Sequence, residues 1–232
     1  MPANIYTLED GTRVPSVTTI IGGNCGWNKR QLMIWANKEG LAGRSMWEKS
    51  REEADVGTVA HAYVTDDASG KEPIDPEAVK TDRFRDGIEE QFPQLNEEQI
   101  RKVHYCVRAW MIWKEMHDFE FLADEQYLVS EKHRFGGQLD LAVLMGQRMI
   151  LDIKTGKGVY DDMLLQISAY GQLWNEAHPD EPIKGYALLL LGKFDAAFHY
   201  HVWPSLDREW EGFKALLQLH QIKKQMKERG IG

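Results

Sequence analysis

Cysteine is scarce in this 232-residue chain, with only Cys25 and Cys106 present. Two isolated thiols are too few for a four-thiolate zinc or iron–sulfur site. Both are expected as free thiols in a reducing compartment. Long apolar runs are missing too, and nothing approaches the roughly 20 residues that cross a bilayer. The opening MPANIYTLEDG has neither the basic start nor the apolar stretch of a secretory leader, so a cytoplasmic protein is expected. The phosphate-binding P-loop, the G-x-S-x-G elbow, H-E-x-x-H and the dinucleotide fingerprint are all absent. So is an excess of positive charge: 28 Lys and Arg stand against 36 Asp and Glu, for a net of −8. That balance excludes a strongly basic, non-specific coat for nucleic acid. It is uneven, however. Between Asp66 and Glu98 eleven acids meet four bases, which leaves the rest of the chain with a net of only −1.

What is present is an ordinary globular composition, 43% apolar and 28% charged, rich in aromatics and long enough for a substantial core. No repeat, low-complexity tract or Gly/Ser linker divides it. A single domain over 1–232 is expected, mainly helical through about residue 120, with a sheet core and a C-terminal helix over 121–232. Asp10-Gly11 predicts a hairpin turn between two short strands in residues 4–21, with SVTTI reading as an edge strand. Asn28 with Gln31 predicts the start of a helix reaching about Leu41, and a second helix covers much of Met46–Asp67. Asn96 with Gln99 forms a capping pair before the stripe Ile100, Val103, Val107, Trp110, Met111. Strands are expected at Glu125–Val129, on both sides of Met145-Gly146-Gln147, over Lys184–Leu191 and over Phe194–Val202. Helices are expected from Tyr160 to Ala177 and from Ser205 to Arg229, the latter burying Leu206, Trp210, Phe213, Leu217 and Met226.

The stretch with most chemistry runs from Phe135 to Tyr170. Asp140 sits among apolar residues in GGQLDLAV, and Asp152 does so in MILDIK; such an acid is costly to bury without compensation. Lys154 shares a face with Asp152, because positions i and i+2 of a strand point the same way. A structural ion pair and a catalytic pair are both open for D-x-K alone. Carboxylates with vacant water positions suit Mg²⁺ or Mn²⁺, and a lysine beside them can orient water or neutralise charge developing on a phosphate. His61, in GTVAHAYV, is open as a core histidine or a ligand. Gln166 and Tyr170 stand one helical turn apart and line either a core or a cleft. Gly156–Gly158 is a short basic loop containing Lys157.

The order of these motifs is more specific than any one of them. G-x-x-D at Gly137–Asp140, D-I-K at Asp152–Lys154 and Q-x-x-x-Y at Gln166–Tyr170 resemble the RecB-type PD-(D/E)xK nucleases. GTVAHAYV resembles that family's upstream helix, and VPSVTTI resembles a segment of its phage-type and mitochondrial single-strand exonucleases. The resemblance spans roughly residues 14–171. It implies an α/β fold with a restriction-endonuclease-like mixed central sheet flanked by helices. It implies His61, Asp140, Asp152 and the Ile153 carbonyl as metal ligands, with Glu125 a candidate further acid, and Lys154 as catalytic lysine. Gln166 and Tyr170 would line the DNA path, with Ser16, Thr18 and Lys157 as further DNA contacts; Trp27, Trp35 and Trp47 are candidates for stacking on bases. The implied activity is a Mg²⁺- or Mn²⁺-dependent DNA exonuclease acting on single strands or duplex ends. Its setting would be phage-type recombination, replication or repair, alongside a single-strand annealing or replication protein in a bacterial host cell. An endonuclease of the same fold and a non-cleaving DNA-binding relative are the alternatives. The cysteine count places the chain in the branch without an iron–sulfur cluster.

Overall fold

In a computed structural model, residues 4–25, 29–156 and 158–230 are described, with backbone only for 29–31. The chain opens with a two-stranded hairpin, β1 (Tyr6–Thr7) and β2 (Arg13–Val14), turning at Gly11 in the left-handed region (φ 82°). Helices α1 (Val17–Asn24), α2 (Lys29–Leu41) and α3 (Met46–Ser69) follow. Next come a 3-10 turn, α4 (Asp82–Gln91) and α5 (Glu97–Met116). The strands are β3 (Glu120–Asp124), β4 (Tyr127–Ser130), β5 (Phe135–Gln138), β6 (Leu141–Met145) and β7 (Gln147–Lys154). Helix α6 (Asp161–Ala177), β8 (Gly185–Leu191), β9 (Phe198–Trp203) and α7 (Asp207–Glu228) complete the fold. No helix among the described residues is long and apolar enough to cross a membrane.

The five-stranded sheet has the order β3-β6-β7-β8-β9, antiparallel except where β7 and β8 run parallel. Helix α6 makes the connection that such a parallel pair requires. Every residue of β8 is buried, as the apolar run YALLLL leads one to expect of a strand covered on both faces. Alternation along β7 sorts its side chains into two cores. Met149, Leu151 and Ile153 join the α3 and α5 residues Val56, Val64, Val103 and Val107. Ile150 joins α1, α6 and α7 through Ile20, Leu165 and Phe213. This is the mixed sheet flanked by helices, with an N-terminal helical elaboration, that the sequence implies.

Local chemistry accounts for the helices. Asn96 accepts from the Gln99 backbone at 3.0 Å while the Gln99 side chain accepts from the Asn96 backbone at 2.9 Å, a complete capping box. The SVTTI segment departs from expectation and is helical. Its β-branched run favours strand by propensity. Ser16, however, caps the helix by accepting from Thr19 N at 3.0 Å, and Val17, Ile20 and Ile21 share one buried helical face. Asn28 and the Gln31 side chain lie outside the described residues. The strand expected at Glu125–Val129 is β4, which begins at Tyr127, and β3 precedes it where none was expected; Glu125, in the left-handed region (φ 43°), lies between them. Met226 of α7 is exposed, because that helix outruns the core it packs on.

A second departure shapes the site. The strand expected through Asp140 breaks there: β5 pairs with β4 in a separate two-stranded sheet, and β6 belongs to the main one. Leu139 consequently packs in the same core as Ala142, apart from Leu141 and Val143.

One buried acid is purely architectural. Asp67, at the end of α3, accepts from Trp110 Nε1 at 2.7 Å, from Lys114 Nζ at 2.8 Å and from Ile74 N at 2.8 Å. Removing it leaves three donors with no acceptor. Asp67→Ala is expected to lower unfolding stability by about 3 kcal/mol in a urea titration, within the range for breaking a buried pair.

Candidate active site

Asp140 occupies the bend between β5 and β6. Its carbonyl accepts from Glu125 N at 3.0 Å, and Leu139 N reaches Gln126 O at 3.3 Å, so the bend is clamped to the β3–β4 turn. Its carboxylate Oδ2 accepts from Ile153 N at 2.9 Å and lies 3.7 Å from His61 Nδ1. The two acids thus end adjacent antiparallel strands. In a strand the N–H and C=O of one residue face the same edge, so the Ile153 carbonyl opens toward Asp140 as well.

Asp152 is the buried member of the cluster, with no solvent exposure. Neither carboxylate oxygen has a hydrogen bond of acceptable geometry, while Oδ2 faces Lys154 Nζ at 2.6 Å. Burial pushes the Asp152 carboxyl up to about 7; Lys154 opposes this shift and Asp140 adds to it. Burial works against the Lys154 charge, but Asp152 and then Asp140 outweigh it and raise its pKa. The ammonium is the cation that an otherwise uncompensated buried carboxylate requires.

Helix α6 closes the site from one side. The Tyr170 hydroxyl accepts from Gln166 Nε2 at 2.6 Å. Burial, then the charges of Asp152 and Asp140, hold that hydroxyl protonated well above the ordinary range. The ring can lie so close because β5 carries Gly137, where a Cβ would fall 2.8 Å from Tyr170 Cε1; a Cβ on the neighbouring Gly136 would run into the Tyr6 ring. Helix α3 closes the other side with His61, whose side chain is 26% exposed. Gly57, one turn before it, brings α3 against the loop after β7: a Cβ there would stand 3.2 Å from Thr155 Oγ1.

His61, Asp140, Asp152, Lys154, Gln166 and Tyr170 therefore meet at one end of the sheet, although His61 lies 79 positions before Asp140. Ser16 and Thr18 line a hollow of about 240 Å³ shared with Gly137 and Tyr170. The Ser16 hydroxyl is engaged with Thr18 Oγ1 at 3.0 Å and Thr19 Oγ1 at 2.8 Å. Glu125 touches Asp140 only through its backbone; its side chain is exposed, and Lys71 feels its charge. Trp35 is half-buried and Trp47 is 76% exposed. Lys157 and Trp27 lie outside the described residues. The sequence reading missed the part of Gly137 in seating Tyr170 and of Gly136 in admitting Tyr6, and Thr155; a glycine inside a strand signals close approach of another element.

The donors suit a hard or borderline divalent cation in kind: two carboxylates, an imidazole and a carbonyl. The buried oxygens of Asp152, which face the Lys154 ammonium, fit such an ion as well as they fit that cation. Yet among the described residues no group of three or more His, Cys, Asp and Glu side chains is gathered tightly enough to hold a metal ion. Lys154 occupies the position of nearest cation to Asp152.

No protein-family profile matches this chain, and no curated protein does. Among solved structures, a provisionally named exonuclease from Eubacterium rectale overlays with a TM-score of 0.45 at 8% identity, covering 76% of this chain and 69% of the other. The protein SSO0001 overlays at 0.29 and 15% identity, over 57% and 69%. At these scores the likeness is one of general chain path and carries no chemistry.

The charge arrangement makes a pH-dependent prediction for protein held in EDTA. An acid whose folded pKa is raised binds its proton more tightly when folded, so its ionisation costs stability as pH rises from the unfolded value of about 3.9 through the folded one. Lys154→Met removes the compensating cation and widens that window upward. The variant is expected to lose about 3 kcal/mol relative to wild type at pH 8, and far less at pH 5, as read from urea unfolding curves.

Proposed function

We propose that this protein is a metal-dependent deoxyribonuclease of the RecB-type PD-(D/E)xK group, in the branch without an iron–sulfur cluster, which hydrolyses phosphodiester bonds exonucleolytically at DNA ends or on single strands. One observation carries the reading. Two acids, one on β7 and one at the bend leading into β6, a lysine two positions beyond the first and a histidine from a distant helix are gathered at one end of the sheet beside Gln166 and Tyr170. A structural ion pair accounts for Asp152 with Lys154, but gives no reason for a second acid, Asp140, to lie beside them with His61 3.7 Å from it and a buried tyrosine hydroxyl near both acids.

His61, Asp140, Asp152 and the Ile153 carbonyl would hold one or two Mg²⁺ or Mn²⁺ ions. Such an ion, when bound, polarises the phosphoryl oxygen and lowers the pKa of its water. Release of Lys154 from Asp152 leaves its ammonium two residues from the site, able to orient the attacking water or to neutralise charge on the phosphate. The Tyr170 hydroxyl, kept protonated by its surroundings, donates a hydrogen bond at neutral pH and does not serve as a base. Gln166 fixes the direction of that hydroxyl. Asp152 and Lys154 sit at the end of β7 and Asp140 at the bend that leads into β6, so the main sheet holds them at the tolerance that catalysis needs.

End-labelled single-stranded and duplex DNA incubated with Mg²⁺ or Mn²⁺ provides the test. Wild type is expected to shorten the substrate from its ends, and Asp152→Ala and Lys154→Ala to lower the rate by roughly 1000-fold, the effect of losing several kcal/mol of transition-state stabilisation. Equal degradation by wild type and Asp152→Ala, or none by either, would overturn the assignment. Cutting of a circular single strand would replace the exonuclease with an endonuclease of the same fold.

A further inference from the structure

One acid of helix α6 has no part in the chemistry above. Asp162 stands four positions before Gln166 and eight before Tyr170, so the three side chains rise along one side of the helix. Gln166 and Tyr170 are joined on that side by their hydrogen bond, with Tyr170 close enough to feel the charges of Asp152 and Asp140. Asp162 Oδ1 is buried and, among the described residues, has no hydrogen-bond partner.

The first turn of a helix favours acids, and Asp161 and Asp162 both occupy it. That interaction asks only for negative charge near the helix start, and the exposed Asp161 supplies it. It gives no reason for a carboxylate oxygen to be turned into the protein without a donor, an arrangement that costs free energy until a donor arrives.

The donor within reach is Lys154. Burial works against the charge of its ammonium; Asp152 and Asp140 outweigh burial, and Asp162 adds to them. The two residues are brought near each other by the chain path, because β7 ends at Lys154 and α6 opens at Asp161 after a short loop. In the present arrangement the ammonium is committed to Asp152 Oδ2, at 2.6 Å.

Two cations compete for that carboxylate. Once Asp152 gives its oxygens to a divalent ion, repulsion between like charges at such a distance drives the ammonium off. The Lys154 side chain is only 22% exposed, and a cation that leaves one buried carboxylate without meeting another is strongly disfavoured. Its flexible four-carbon stem allows the ammonium to turn from one acid to the next.

We propose that Asp162 is a positioning residue that receives the Lys154 ammonium when a divalent cation occupies Asp152, and that it holds the ammonium beside the attacked phosphate. The inference rests on the nuclease reading for the cation, and adds the acid that makes the exchange possible.

Mn²⁺ binding by the DNA-free protein, read from the electron paramagnetic resonance signal of the free ion, tests this without turnover. Asp162→Asn is expected to bind Mn²⁺ about ten-fold more weakly than wild type, because the displaced ammonium then has no acid to meet. Asp162→Glu is expected to recover most of that affinity. Asp161→Asn, which alters the same helix turn, is expected to bind as wild type does. In a Lys154→Met background no ammonium has to move, and there Asp162→Asn is expected to leave Mn²⁺ affinity unchanged; the double-mutant cycle isolates the coupling. Circular dichroism checks that each variant is folded, and should Lys154→Met not fold, the difference between Asn and Glu at position 162 decides. Wild-type affinity in Asp162→Asn overturns the proposal, as does a loss equally large with and without Lys154, which would make Asp162 a direct attraction for the ion. Absence of Mn²⁺ binding by wild type counts against the nuclease assignment and the proposal together, whereas wild-type binding that Asp162→Asn leaves unaltered counts against the role of Asp162 alone.

Discussion

A carboxylate without solvent exposure at the end of a central strand is the constraint around which this protein is arranged. Asp152 lies on a strand whose other residues feed two apolar cores, and nothing in those cores solvates a charge. The penalty for burying an isolated ion is large enough that a protein ordinarily either neutralises the group or surrounds it with donors. Here backbone donors are engaged elsewhere: Ile153 N points at Asp140, leaving Asp152 dependent on Lys154 at 2.6 Å. A site held by one replaceable cation differs from a structural ion pair secured on all sides, such as Asp67 with its three donors. Both acids are buried in one molecule, and the number of committed donors separates the architectural one from the one left receptive.

Placement of the cluster at the seam between the cores explains why it draws on so many elements. His61 belongs to the helical layer that packs with Val56 and Val64, while Tyr170 belongs to the opposite layer with Leu165 and Leu173. The bend at Asp140 is where the chain passes from the small β4–β5 sheet to the main one, so the acid answers to both. No single layer contains the site. Its geometry is therefore as cooperative as the fold, and a shift of either layer displaces one partner relative to the rest.

Much of this was legible in sequence because it is local. The α5 stripe, the Asn96–Gln99 capping box, the turn at Gly11 and the run YALLLL each carry their structure in a few adjacent residues. That Asp152 and Lys154 share a face followed from the two-residue period. What sequence did not disclose depends on distant partners. SVTTI has strand propensity and becomes a helix because Ser16 caps it and a core receives Ile20. The break at Asp140 arises from bonds to Glu125 and Gln126 on another hairpin. Lys102 reads as one more charged position beside Val103, yet it is buried because Glu53, 49 positions earlier, and Glu98 are there to meet it. Motif order brought His61 and the acids into one hypothesis; only the folded chain places them side by side.

The parallel pairing of β7 with β8 has a consequence for the newly made chain. Asp152 is opposite Leu188, and the strand that shields it, β8, ends at Leu191, well after every residue of the cluster has been synthesised. Until that strand has left the ribosome, the edge of β7 is open to water and the carboxylate is solvated, with no need of Lys154. A growing chain thus carries every residue of the cluster before it has the strand that gives Asp152 its dry setting.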